Sequence, residues 1–69
     1  MARVFIGVEG MNSKERAEKV RLLLMGVEGV QRVDATADGH AAVTYDDNEV
    51  NAMALVMALR RYGLKAGME

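Results

Sequence analysis

Apolar residues in this chain recur at two different spacings, and the switch between the two restricts what it can fold into. Val4, Ile6 and Val8 alternate with Arg3, Phe5 and Gly7, the period-2 pattern of a strand with one buried face. Ala17, Val20, Leu23 and Leu24 instead share one stripe at about 100° per residue, away from Lys14, Glu18 and Arg21. An amphipathic helix is therefore expected through about Met25, ended by Gly26. Asn12 offers a side-chain acceptor for its first amides, and Glu15 is spaced to return a bond to the Asn12 amide. That capping-box arrangement predicts a helix starting at Asn12.

Strand spacing resumes at Val30, Val33 and Ala35, and the Asp-Gly pair within Ala37 to His40 favours a tight hairpin reversal into a third strand with Val43 and Tyr45 inward. Asp46 to Glu49 place acceptors and negative charge where a second helix is expected to begin. Arg60 and Arg61 place positive charge in its last turn before Gly63. On its wheel Ala52, Leu55, Val56, Leu59 and Tyr62 fill one face, and Leu64 to Met68 suit a short fourth strand. The order is βαββαβ. It predicts an α+β fold, the ferredoxin-like sandwich: a four-stranded antiparallel sheet with two helices on one face.

With 69 residues and no Pro- or Ser-rich linker, one domain over residues 1–69 is expected. The absence of Cys excludes disulfides, thiolate zinc sites and catalytic thiols, and fits a reducing cytoplasm. The longest apolar run, Ala52 to Leu59, is far short of the roughly 20 residues of a membrane span, so membrane insertion is not expected. The amino-terminal segment lacks a signal-peptide core and is assigned to the first strand. Nine basic and ten acidic residues give a net charge of -1, no general attraction for nucleic acid or anionic membranes. RNA binding on the open sheet face would need stacking aromatics. That face offers Phe5, Arg3 and Arg32 against Asp34, Thr36, Ala42 and Thr44, too little stacking and too little charge, so no nucleic-acid partner is expected.

Val8-x-Gly10-Met11 at the strand end, Val20, Leu23 and Leu24 on the helix, Gly29-Val30-x-x-Val33 in the second strand, and Ala58-Leu59 ahead of Gly63 span nearly the whole chain. In this pattern the sequence resembles the heavy-metal-associated domain family of copper and mercury carriers and repeated modules of metal-pumping ATPases. The resemblance implies a ferredoxin-like fold and a metal site formed by a C-x-x-C pair after Gly-Met. Those two positions here are Ser13 and Arg16. Soft copper(I) prefers sulfur donors, and a hydroxyl beside an obligate cation cannot replace two thiolates. The aromatic that commonly follows the late Gly is Leu64, with a Tyr displaced to Tyr62.

No metal site is therefore expected, and Met11, Ser13 and Arg16 form a vestigial loop. Met11 is expected as core packing, and His40, in a hairpin turn at the far end of a strand, as a solvated residue. The competing expectation is a metallochaperone-type carrier holding copper or zinc weakly through Met11, a backbone carbonyl or a ligand borrowed from its partner. A second alternative is an anion or an acidic partner at the helix-one amino terminus, where Asn12, Ser13, Lys14 and Arg16 gather free amides and positive charge. Catalysis is not expected. Gly26 to Val33 faintly resembles the acylphosphatase phosphate loop but follows a helix instead of the first strand, and the single His has no triad partners.

Leu22 and Met25 on helix one, and Val50, Met53 and Met57 on helix two, lie away from the core stripes. A helix apolar nearly all round is usually buried all round, which in so small a chain requires a partner. The expected function is a non-catalytic module that has lost its thiolate site and acts through protein contacts, as a homo-oligomer or as an adaptor in metal handling.

Overall fold

The two apolar periods resolve into six elements in the computed structural model, which describes residues 1–69. They are β1 (Ala2–Glu9), α1 (Lys14–Met25), β2 (Val30–Ala35), β3 (His40–Tyr45), α2 (Ala52–Arg61) and β4 (Lys65–Met68). The strands form one antiparallel sheet in the order β2-β3-β1-β4. Ile6, Val8, Val33, Ala41, Val43, Tyr45 and Ala66 point to one face of it. There they meet Ala17, Val20 and Leu24 of α1 and Leu55, Val56 and Leu59 of α2 in a single apolar core. This is the ferredoxin-like βαββαβ sandwich, with α1 over β2 and α2 over β4. No charged or polar residue is buried, and no buried side-chain nitrogen or oxygen lacks a partner. Each large side chain removed from water here contributes about 1.5–3 kcal/mol, which offsets chain entropy without covalent staples.

Register decides which loops meet. Gly7 pairs with His40 on one side and Gly67 on the other, and Glu9 pairs with Lys65. The end of β1 and the starts of β3 and β4 therefore share one edge of the molecule. The β1–α1 loop, the β2–β3 hairpin and the α2–β4 turn cluster there. β2 carries a register slip between Val30 and Arg32 against β3.

Helix starts depart from the sequence expectations. α1 is capped by Ser13, not Asn12: the Arg16 amide donates to Ser13 Oγ at 3.2 Å. Gly10, at φ +85, turns the chain sharply out of β1, and the Asn12 amide donates to the Gly10 carbonyl at 3.0 Å. That tight turn uses the Asn12 amide that a capping box would need, and moves the helix start one residue on. Arg16 rather than Glu15 then stands three residues past the cap. Likewise α2 is capped by Asn51, whose Oδ1 accepts from the Ala54 amide at 2.8 Å. Asp46 to Glu49 instead close a turn on themselves: Asp46 Oδ1 accepts from the Asn48 amide at 2.9 Å, and its carbonyl from the Glu49 and Val50 amides at 3.0 Å. The acidic run is an Asx turn, because the residues that cap helices also close such turns.

Two side chains change face as a result. Val50 precedes α2, so the helical wheel does not govern it, and it packs half-buried against the core. Tyr62 is the C-cap of α2 and is 55% exposed, not inward.

Candidate functional site

Gly10 to Ser13 connect β1 to α1, and the side chains at positions 13 and 16 are both engaged with neighbouring backbone. Met11 turns inward and is 3% exposed, its thioether part of the core. Ser13 Oγ is occupied by the Arg16 amide. The Arg16 guanidinium, one turn along α1, folds back so that Nη1 donates to the Gly10 carbonyl at 3.1 Å. Cap and guanidinium together tie the loop from both ends.

A soft metal ion does not fit this arrangement. Its two ligand positions hold a hydroxyl already accepting a hydrogen bond and a permanent cation, and the one sulfur nearby is buried. No group of three His, Cys, Asp or Glu side chains anywhere in the molecule is gathered to hold an ion.

Beside the loop lies a groove of about 330 Å³. Val8, Met11, Val20 and Leu64 form its apolar floor, and Arg16, Lys19 and Tyr62 its exposed rim. Its residues come from β1, the loop, α1 and the α2–β4 turn. The Lys19 ammonium stands 5.5 Å from the centroid of the Tyr62 ring, a cation–π distance. Lys19 was not among the residues expected to matter, although its spacing of three from Arg16 on a helix places both on one side. Of the anion-loop candidates only Arg16 reaches the groove. Asn12 and Lys14 are exposed outside it, and Ser13 serves as the cap.

Around the β2–β3 hairpin a second polar cluster forms on the open sheet face. His40 opens β3 rather than sitting in the turn, and its Nδ1 contacts Glu69 Oε1. That hydrogen bond, with the carboxylate charge, raises the His40 pKa. Asp38 accepts from the Thr36 hydroxyl, which lowers its pKa, and the His40 charge adds to the effect. Its members are all exposed.

Leu22 and Met25 on α1, and Met53 and Met57 on α2, are 58%, 40%, 50% and 41% exposed. Val50 does not join them. The residues of each pair are three or four positions apart, about one helical turn.

No family model matches the sequence. A protein of undescribed function from Haemophilus influenzae is 26% identical over 66 residues, covering 96% of this chain and 97% of its own. Among solved structures, oxidized MerP from Ralstonia metallidurans CH34 is 29% identical with a TM-score of 0.90, covering 99% of this chain and 96% of its own. The copper binding domain of HMA7, a P-type ATPase, is 26% identical with a TM-score of 0.93, covering 100% and 95%. The CopZ metallochaperone is 25% identical with a TM-score of 0.87, covering 96% and 100%. Of these neighbours, one is thus a copper binding domain and one a metallochaperone. No helix here is long and apolar enough to cross a membrane. The chain shares the fold of these proteins along its whole length, resembles heavy-metal-associated domains at its strand-end Gly10-Met11, and carries Ser13 and Arg16 at the two positions where that pattern has cysteine.

Proposed function

We propose that residues 1–69 form a non-catalytic heavy-metal-associated-type module that no longer carries metal and acts in the cytoplasm through protein contacts, by self-association or as an adaptor in metal handling. The observation that carries this is the closed loop: Ser13 caps α1 and Arg16 bonds back to Gly10, so the motif positions hold each other. Four exposed large apolar side chains, Leu22, Met25, Met53 and Met57, support the contact role. Flexible thioethers suit adaptable interfaces.

The test pairs two measurements. Proton–nitrogen correlation spectra of the reduced protein, titrated with copper(I) and then zinc, should leave the Met11 to Arg16 amides unmoved. Sedimentation over a range of concentrations should show association that Met53→Glu with Met57→Glu weakens while the fold is kept. Saturating shifts in the loop would make the chain a carrier with unconventional donors, and a monomer at every concentration would remove self-association.

A further inference from the structure

We propose that the groove beside the loop binds a small amphipathic carboxylate, its apolar body on Val8, Met11, Val20 and Leu64 and its carboxylate between Arg16 and Lys19. The inference rests on the proposed reading of the loop, because a metal ion held there would repel the Arg16 guanidinium from the groove. Ligand pockets span about 300–1,000 Å³ with apolar walls and a few convergent polar groups. This groove, at about 330 Å³, takes a ligand at the small end of that range.

Charge selects the class of ligand. The ion pairs of the molecule are Glu18–Arg21, Asp34–Arg32 and Glu69–His40. Arg16 and Lys19 therefore face the groove with no carboxylate partner, and no acidic residue lines it. Both cations are held in place before any ligand arrives. The Gly10 carbonyl takes one Nη1 donor of Arg16 and leaves the rest of the guanidinium fork available, while the Tyr62 ring steadies the Lys19 ammonium. A planar carboxylate matches a guanidinium fork in shape and charge. The apolar floor gains by covering with hydrocarbon, which a bare inorganic anion does not supply.

Sodium octanoate, kept below its micelle-forming range, is the probe, with 1-octanol and sodium acetate as controls for tail and head alone. Octanoate should shift the amides of Met11, Arg16, Lys19 and Leu64 saturably, and bind about tenfold or more tighter than either control. Arg16→Gln with Lys19→Gln should lower octanoate affinity by a similar factor. Both side chains are exposed, so the fold should survive, and Lys19→Gln alone provides a variant that leaves the loop bond intact. The proposal is overturned if octanol binds as tightly as octanoate, if the double variant keeps full affinity, if the shifts fall on Met53 and Met57 instead, or if nothing saturates. Copper(I) added to the same samples separates the two failures: saturation of the loop by copper refutes the metal-free module, whereas silence toward both ligands refutes only the carboxylate site.

Discussion

Ser13→Cys combined with Arg16→Cys places two thiols at the C-x-x-C spacing, and the contacts of Ser13 and Arg16 say what that does before any metal is added. The Ser13 cap on the Arg16 amide is lost, since a thiol is a weak acceptor, and so is the Arg16 bond to Gly10. Loss of a cap costs about 1 kcal/mol, which in a domain of this size lowers Tm by about 4–8 °C. Copper(I) buffered to 100 times its dissociation constant then adds about 2.7 kcal/mol, reduced somewhat by binding to unfolded thiols. The metal-loaded variant should therefore melt above the parent, and the metal-free variant below it. Thermal unfolding followed by circular dichroism in reducing buffer, parent and variant side by side with and without copper(I), reads all four states. No copper response in the variant would mean that the Gly10–Arg16 backbone does not retain the family's loop geometry. An equal response in the parent would mean that the loop binds metal without cysteine.

Glu69→Gln should lower the His40 pKa, followed through the ring carbon protons by NMR. In the folded protein that pKa lies above the ordinary 6.5, so the contribution of the pair to stability is full below about 6.5 and lost as pH rises through the folded value. A parent His40 titrating at or below 6.5 would refute the contact. Gly29→Ala should destabilise by more than the roughly 1–2 kcal/mol of a left-handed non-glycine residue: at φ +96 its Cβ would also stand 3.0 Å from Val50 Cγ1 and 3.1 Å from Glu49 Cβ. A parental midpoint in urea would show that Val50 and Glu49 are not packed there.

Element order and core were legible because they rest on periodicity, which survives any loop chemistry. Leu24, Leu55 and Leu59, wholly buried, all fell on the expected stripes. The helix starts were not, because Asn12 and Ser13 are adjacent capping residues and only the turn made by Gly10 decides between them. The acidic run Asp46 to Glu49 had the same ambiguity, and misplacing the start of α2 put Val50 on a wheel to which it does not belong. Tyr62 was turned the wrong way for the matching reason, since it caps α2 and escapes the helical period. Of the groove, Met11 and Arg16 could be named from the motif. Its pairing of Lys19 with Tyr62 joins residues far apart in sequence, as does the His40–Glu69 contact, and local patterning carries no signal for either.

The slip in β2 bears on how copies of this protein could grow into larger assemblies. β2 and β4 are the two outer strands, each with a row of backbone donors and acceptors that an approaching strand could extend. On β2 the slip between Val30 and Arg32 breaks the even spacing such an extension needs, and the exposed Arg32–Asp34 pair keeps charge beside it. β4 presents only four residues, one of them Gly67. Strand-by-strand addition therefore meets an interrupted template on one side and a short one on the other. Both edges disfavour open-ended fibres, and any contact between copies is left to the helical faces.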